Sequence, residues 1–367
     1  RIYINDGKAH FSYAKERLPS VKVSSAVVDM ADVDLDGDMD LYVGGRYLSG
    51  KYPVAPMSYF LLNDGHGFFS TAGVEEMGIV DNVGLVTDVR FCDINGDDRD
   101  DLVVVGEWMQ VSVFENQKGK FVRVNNNGLE GTYGWWNTIE PVDIDHDGDI
   151  DLIGGNIGLN NQFKASGKHP VKLVYGDFDS NGKVDPIMTY YIQDKSEIGF
   201  SRDELIDQVN SLQTMFPDYQ SYTRTSVEDI VSFGKNIKVD SLWATEFHTM
   251  LMLNDGKGNF QTIYLPDEAQ FSPVYSIFAN DVNDDGKLDL LLGGNQSATR
   301  VSTGHFSSNF GQVFLGNGKG RFTFTKNIES GLQIKGDVRK IRKIKISEDE
   351  YFLFFRNNDS VMVYKNK

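Results

Sequence analysis

Cysteine is almost absent from this sequence, because Cys92 is the only one among 367 residues. A disulfide within the chain is therefore excluded. The apolar residues that precede Cys92 predict that it acts as a small buried hydrophobic side chain. Histidine is also scarce, with six residues, and neither a His-Glu-x-x-His motif nor a Gly-x-Ser-x-Gly motif occurs. The sequence therefore predicts no catalytic residue.

Long apolar runs are missing as well. No stretch approaches the ~18–20 apolar residues that a membrane-spanning helix needs, so we predict no membrane span in this chain. Basic residues are outnumbered, since 36 Lys and Arg against 53 Asp and Glu give a net charge of −17. That charge argues against a nucleic-acid partner. A hydrophobic content of 40% and an aromatic content of 12% are typical of a globular protein rather than a disordered one.

A nine-residue acidic loop is what the sequence has in abundance. Its first copy runs from Asp32 to Asp40, with side-chain oxygens at the first, third, fifth and ninth positions and Gly37 at the sixth. Four more copies begin at residues 93, 143, 177 and 281. Carboxylates this close together repel one another unless a cation neutralises them, and a cage of protein oxygens favours calcium over magnesium.

The five loops therefore predict up to five calcium ions with a structural role. A single copy could be an ordinary turn of Asp and Gly residues, but five copies with the same flanks favour metal binding. The sixth residue should have a positive φ, and Asp98 stands there in place of glycine, so we expect the second loop to be the weakest. The predicted ligands, with the seventh residue of each loop contributing its main-chain carbonyl, are Asp32, Asp34, Asp36, Asp38, Asp40, Asp93, Asn95, Asp97, Arg99, Asp101, Asp143, Asp145, Asp147, Asp149, Asp151, Asp177, Asp179, Asn181, Lys183, Asp185, Asp281, Asn283, Asp285, Lys287 and Asp289.

Strand patterns surround every acidic loop. An apolar strand precedes the loop, another follows it, and hairpins with an Asn-Asp-Gly or related turn, such as Phe60–Phe68 and Met252–Phe260, come next. Such units of four strands predict an all-β fold, a β-propeller of four-stranded blades. We count six blades and an N-terminal hairpin. The third and fourth loops lie too close for a complete blade between them, so the third blade is either short or shares strands unusually.

The whole chain, 1–367, is predicted to be a single β-propeller domain. It opens inside a strand pattern, so we expect it to be a fragment of a longer protein. Residues 194–240 form a predicted helical insertion within one blade, with capping boxes at Ser201–Glu204 and Thr225–Glu228 and with Gly234 as a C-cap. The insertion could be a lid or docking element, or a decoration packed on the side of a blade.

The acidic loops, each followed by an apolar strand, resemble FG-GAP/VCBS repeats, the blades of integrin α-subunits and of many bacterial surface proteins. Narrower segments, Gly134–Asn137, Gly154–Asn160, Asp185–Tyr191 and Ser201–Gln208, are similar to the cartilage-acidic-protein-like (ASPIC/UnbV-associated) bacterial surface group. The resemblance implies a seven-bladed propeller, calcium in the loops, and an extracellular, periplasmic or outer-membrane location.

The face opposite the acidic loops is the predicted partner-binding face. It collects aromatic, amide and charged side chains from the ends of the second strands and from the chain leading into the first strands, which suits a glycan or protein partner. The predicted function is a calcium-stabilised, non-enzymatic binding module, and the alternative is a polysaccharide-acting enzyme of the lyase or dehydratase type. Trp136 could instead fill a junction between blades. The candidate partner-binding residues are Arg46, Glu107, Trp108, Tyr133, Trp136, Asn156, Asn160, Tyr191, Asn295 and Arg300.

Overall fold

The computed structural model describes residues 1–78, 82–233, 237–300 and 303–366, and they form an all-β fold. In chain order the strands are β1 (Tyr3–Asn5), β2 (Phe11–Tyr13), β3 (Ser24–Ala31), β4 (Asp40–Tyr47), β5 (Tyr59–Asn63), β6 (Phe69–Thr71), β7 (Leu85–Cys92), β8 (Asp101–Met109), β9 (Ser112–Asn116), β10 (Phe121–Arg123), β11 (Gly134–Trp135), β12 (Thr138–Val142), β13 (Asp151–Gly155), β14 (Val171–Gly176), β15 (Asp185–Ile192), β16 (Lys195–Ile198), β17 (Asp240–Ala244), β18 (Met250–Asn254), β19 (Phe260–Tyr264), β20 (Val274–Asn280), β21 (Asp289–Gly294), β22 (Gln312–Gly316), β23 (Phe322–Thr325), β24 (Val338–Ile346), β25 (Asp349–Arg356) and β26 (Met362–Lys365). The short helices are α1 (Val74–Met77), α2 (Arg202–Gln208), α3 (Tyr219–Tyr222), α4 (Val227–Phe233) and α5 (Asn327–Ser330).

Antiparallel sheets built from consecutive strands dominate this fold. The first sheet has the order β3-β4-β5-β6, the second contains β7-β8-β9-β10, and a later one has the order β20-β21-β22-β23. In each of them an acidic loop joins the first strand to the second. The predicted strands on both sides of the loops are confirmed. The last sheet, β24-β25-β26, has three strands and no acidic loop, while β1 and β2 form a separate hairpin.

The third sheet is interrupted by a whole sheet. Strands β12 and β13 pair with β18 and β19, and Gly154 lies opposite Met250 although residues 156–249 separate the two strands. The intervening chain forms an inserted sheet of order β16-β15-β14-β17, which carries the fourth acidic loop between β14 and β15. Of the two alternatives that the loop spacing left open, the third blade therefore shares strands across an insertion.

The first strands of the five other large sheets lie side by side in the order β3, β7, β12, β20 and β24. Residues from all five line one cavity of about 540 Å³, which carries both acidic and basic side chains such as Asp88, Arg90, Glu140 and Lys340. This arrangement fits a propeller-like fold. Closure of the ring and a count of six or seven blades stay predictions.

Glycines near the ends of the second strands let neighbouring sheets approach closely. A Cβ atom added to Gly44 would lie 2.6 Å from Cγ1 of Val86 on β7, and one added to Gly293 would lie 2.5 Å from Cγ1 of Val338 on β24. Aromatic rings fill the space farther out, where Phe60 and Phe121 stack with centroids 4.9 Å apart. The Gly-Gly pairs that contain Gly44 and Gly293 thus allow neighbouring sheets to pack closely.

The helical insertion lies between β16 and β17 of the inserted sheet. The capping box at Ser201 and Glu204 is confirmed at the start of α2. Leu205, Val209, Leu212 and Phe216, which follow it at helical spacing, are fully buried. The predicted position of the second capping box, Thr225 and Glu228, was wrong by one residue. The side chain of Ser226 accepts from the N–H of Asp229, and the side chain of Asp229 accepts from the N–H of Ser226. The predicted C-cap Gly234 lies outside the described residues.

Candidate functional site

The first carboxylate of every acidic loop binds the backbone of its own loop. Its two oxygens accept hydrogen bonds of 2.8–3.1 Å from the N–H groups of the fifth and sixth residues. The sixth residue has a positive φ in all five loops, and Asp98 adopts it with φ 61°. The prediction for this position is confirmed, including its departure from glycine. The fourth residue, Leu35 in the first loop, also has a positive φ, which the sequence pattern did not indicate.

In the first, second, third and fifth loops the ninth carboxylate connects three parts of its sheet. These side chains are buried, and Asp151 is 1% exposed. Its Oδ2 accepts from the N–H of Ile144 at 3.1 Å, inside the loop, and its Oδ1 accepts from the N–H of Asn254 at 2.8 Å, on the third strand. Asp40, Asp101 and Asp289 make the same pair of bonds. The ninth residue is therefore part of the fold as well as a predicted ligand.

Three of the loops bring carboxylates close enough to share a metal ion. Their oxygens lie within 4.8 Å of one another in the triads Asp32, Asp34, Asp36; Asp143, Asp145, Asp151; and Asp177, Asp179, Asp185. Burial and the neighbouring aspartates raise the pKa of Asp34 and of Asp145. Oδ1 of Asp145 is buried and has no hydrogen-bond partner. A buried carboxylate oxygen without a hydrogen-bond partner, next to two other carboxylates, is the kind of ligand set that a hard cation such as calcium binds.

The second and fifth loops direct a carboxylate toward a basic side chain instead. Arg99 pairs with Asp97, and Nζ of Lys287 lies 3.1 Å from Oδ2 of Asp285. In both pairs the basic group is the seventh residue and the acid is the fifth. A cation at either loop would have to compete with this internal positive charge, so these two loops are expected to bind calcium more weakly than the other three.

The buried ninth residues predict that stabilisation by a bound cation depends on pH. Burial raises the pKa of Asp101, Asp151 and Asp185 to about 6, well above the value of an unfolded aspartate. Without metal, this contribution favours the fold at low pH and is lost as the pH rises through about 4 to 6, because the unfolded chain ionises first. A bound cation replaces these protons. We therefore expect the rise in Tm on adding calcium to be larger at about pH 7.5 than at about pH 5. Thermal unfolding with and without calcium at the two pH values measures it, and an equal rise at both would contradict it.

A cleft lies at the other end of the sheets. Glu107 and the ninth-position Asp101 share strand β8, about 20 Å apart along it. The cleft has a volume of about 400 Å³. It lies between the ends of β8, β11, β13 and β20 and the strands β14 and β15 of the inserted sheet. Its apolar lining consists of Trp108, Trp135, Ile157, Phe163, Leu173, Pro186, Met188, Phe200, Pro273 and Phe306. Its polar lining consists of Tyr52, Glu107, Asn137, Tyr275, Gln296, Thr299, Arg300 and Thr303.

A chain of hydrogen bonds fixes one wall of the cleft. Arg46 pairs with Glu107, whose second oxygen accepts from the hydroxyl of Tyr52 at 3.1 Å. The indole Nε1 of Trp108 donates to the same hydroxyl at 2.8 Å. Burial and the adjacent carboxylate raise the pKa of Tyr52. These groups satisfy one another, so they form a rigid wall rather than reactive groups.

Two donors on residues that line the cleft have no hydrogen-bond partner. The indole Nε1 of Trp135 and the amide Nδ2 of Asn137 are buried and make no hydrogen bond. The ring of Trp135 packs edge-on against Trp108 and Phe163, with centroids 4.9 and 5.4 Å apart. A buried donor without an acceptor costs about 1–3 kcal/mol. An acceptor supplied by a ligand would remove that cost.

Comparison with known protein families supports the predicted repeat. Residues 93–154 match the FG-GAP-like repeat. This match begins at the second acidic loop and ends on the strand that follows the third. It supports the predicted FG-GAP resemblance, whereas the narrower ASPIC/UnbV-associated grouping stays a prediction. No curated protein sequence matches the chain.

Solved structures resemble the chain only distantly. The biofilm matrix protein Bap1 of V. cholerae is 12% identical with a TM-score of 0.38, and the similarity covers 93% of this chain and 63% of that chain. A lectin of Agrocybe aegerita, described as recognising non-reducing terminal N-acetylglucosamine, is 15% identical with a TM-score of 0.31, covering 94% of this chain and 81% of the lectin. Among the residues that the structure describes, no helix is long and apolar enough to cross a membrane.

Three predicted partner residues lie in the interior. Trp136, inside the FG-GAP-like repeat, is 0% exposed and its Nε1 donates to Thr132 O at 2.9 Å. Asn156 is 0% exposed and its Nδ2 donates to Glu246 O at 3.0 Å. Asn295 is 3% exposed and likewise bonds backbone. The prediction that these three residues bind a partner is therefore corrected, because each is already enclosed and hydrogen-bonded within the fold.

The other predicted partner residues divide among several places. Glu107, Trp108 and Arg300 line the cleft, and Arg46 supports it from behind. Outside the cleft lie Tyr133, Asn160, which borders another cavity, and Tyr191, whose ring stacks on His169 with centroids 4.5 Å apart. Sequence reasoning missed cleft residues such as Tyr52, Asn137, Tyr275 and Phe306. Their only signal was a position in, or next to, the segments that join the strands on this face.

Proposed function

We propose that this chain is a calcium-stabilised, non-enzymatic recognition module that works outside the cell or at the cell surface. Its partner is a protein segment bound in the cleft opposite the acidic loops. The observation that carries the proposal is a pair of buried, unpaired donors on Trp135 and Asn137, two residues that line a mostly apolar cleft. Calcium in the acidic loops stabilises the sheets and takes no part in binding the partner.

An extended peptide matches the chemistry of the cleft. Its main-chain carbonyls are acceptors for the two unpaired donors, and an apolar side chain can enter the space between Phe163, Met188 and Phe306. The donors then gain hydrogen bonds that the free protein lacks, while water is displaced from apolar surface. Both changes favour binding.

Arg300 adds a preference for negative charge. Its guanidinium lies over the ring of Phe200 with 4.9 Å to the centroid. Hydrogen bonds from Ser201 lower the pKa of Glu204 most, and Arg300 is close enough to lower this pKa further. Glu107, the acid of the cleft, is already paired with Arg46. Arg300 is therefore the positive charge in the cleft lining that an acidic side chain of the partner would pair with.

Selection of peptides from a displayed random library on the immobilised protein tests the proposal. We expect the selected peptides to contain an apolar residue next to an acidic one. The change Arg300→Ala should weaken their binding by about tenfold or more. Arg224→Ala, an exposed arginine of the helical insertion, is the matched control and should leave binding unchanged. Failure to select any peptide, or equal binding to both variants, would overturn the proposal.

A further inference from the structure

A second concave surface lies where the third sheet meets the inserted sheet. It has a volume of about 480 Å³ and shares no lining residue with the cleft. We call it the aromatic groove and define it by Tyr133, Trp243, Glu246, His248 and Tyr264. Its size falls within the range of about 300–1,000 Å³ that small-ligand sites occupy.

The aromatic rings of the groove face solvent. Trp243 on β17 is 43% exposed, although Leu242 and Ala244 on either side of it face inward. Tyr264 at the end of β19 is 55% exposed. Single exposed apolar residues are common and need no explanation. Here, however, a Tyr–Trp pair with centroids 5.6 Å apart and a His–Tyr pair share one concave surface.

Hydrogen bonds fix the rings before any ligand arrives. Nδ1 of His248 lies 2.5 Å from Oε1 of Glu246, and the hydroxyl of Tyr264 donates to Oε2 at 2.9 Å. The rings of His248 and Tyr264 stack with centroids 3.8 Å apart and planes 11° apart. The N–H of Glu246 donates to Tyr133 O at 2.9 Å. Side chains already fixed in one conformation lose little entropy when they bind a ligand.

The polar atoms of the groove accept hydrogen bonds. Burial raises the pKa of Glu246, but hydrogen bonds from His248 outweigh burial and keep this pKa below its usual value. The carboxylate is therefore charged. A carboxylate can only accept, so Nδ1 of His248 donates to it. Among the described residues that line the groove none is Lys or Arg. The groove therefore suits a ligand rich in hydroxyl donors and disfavours an anion.

We propose that the aromatic groove binds a neutral sugar residue of an oligosaccharide. The apolar C–H face of the sugar ring stacks on the exposed indole of Trp243, and its hydroxyl groups donate to Glu246 and form a hydrogen bond with Nε2 of His248. Aromatic rings beside fixed acceptors are the features that such a ligand requires. This site is separate from the cleft, so it adds a second kind of partner to the proposed function.

An array of immobilised neutral oligosaccharides, namely β-glucan, mannan, galactan and chitin fragments, with uronic-acid polymers alongside, tests the proposal. We expect binding to at least one neutral sugar and none to the uronic acids. Trp243→Ala should weaken that binding by about tenfold or more, and Glu246→Gln, which keeps the shape, should also weaken it. Tyr47→Ala removes a similarly exposed ring, 47% exposed on β4, and should have no effect. Arg300→Ala should have none either, which separates this site from the cleft.

Several results would overturn the sugar site. These are binding to no neutral oligosaccharide, binding to uronic acids alone, or full binding by both Trp243→Ala and Glu246→Gln when their circular dichroism matches the parent protein. If Trp243→Ala does not fold, Glu246→Gln decides alone. A failure of this site leaves the peptide experiment on the cleft unaffected, because the two surfaces have no residue in common.

Discussion

Replacing Asp151 with alanine is expected to lower the free energy of unfolding by about 3 kcal/mol, even before any effect on metal binding. The carboxylate is 1% exposed and accepts hydrogen bonds from the backbone N–H groups of Ile144 and Asn254. Its removal leaves both donors buried and unpaired, and each costs about 1–3 kcal/mol. Urea denaturation followed by tryptophan fluorescence measures the change.

Asp149→Ala is the matched control for that experiment. It lies in the same loop at the seventh position, where only the main-chain carbonyl is a predicted ligand. Its side chain accepts no hydrogen bond from Ile144 or Asn254, whose bonds go to Asp151. We expect a change within about 0.5 kcal/mol. If the two variants unfold at the same urea concentration, the ninth carboxylate does not have the structural role assigned to it.

Removal of calcium with a chelator is expected to lower Tm by at least about 5 °C, and adding calcium back should restore it. A ligand that binds only the folded state stabilises it by about 2.7 kcal/mol at one hundred times its Kd. Three loops place a triad of carboxylates within reach of one ion. Calorimetric titration of the metal-free protein should therefore find three tighter sites, with the loops that contain Arg99 and Lys287 weaker.

Magnesium is the control for the chelation experiment. It prefers near-ideal octahedral geometry and keeps its waters, so it should restore Tm less well than calcium at the same concentration. If chelation leaves Tm unchanged, the proposal that calcium stabilises this protein is wrong. Five equal sites would show that Arg99 and Lys287 do not compete with the ion.

The acidic loops are the part of this structure that the sequence predicts best. A repeat that requires oxygens at fixed positions and a left-handed sixth residue leaves few alternatives for the backbone, and even Asp98 adopts the expected conformation with φ 61°. The strands on both sides of each loop follow from the same local pattern. Local patterns also predicted the capping box at Ser201, although they placed the next one a residue too early.

The interrupted third sheet shows where local reasoning ends. Nothing near Gly155 indicates that the next strand of its sheet is Met250–Asn254, because the pairing depends on contacts between distant segments. The same limit applies to the partner face. Trp135 and Trp136 are neighbours in the chain, yet one lines the cleft and the other is fully buried. Their positions at a strand end predicted the face but not the side to which each ring points.

Because of the insertion between β13 and β18, the cleft is lined partly by the inserted segment and partly by the host sheets. The sequence of one part can change without a change in the other. Gly154 and Met250 are paired neighbours in the third sheet, so the ends of the insertion meet where an ordinary hairpin turn would stand. Leu173, Pro186, Met188 and Phe200 of the cleft come from the inserted segment, while Tyr52, Glu107 and Tyr275 come from the host sheets. Exchange of the insert could thus give one scaffold a new specificity, much as loops are exchanged on an antibody framework.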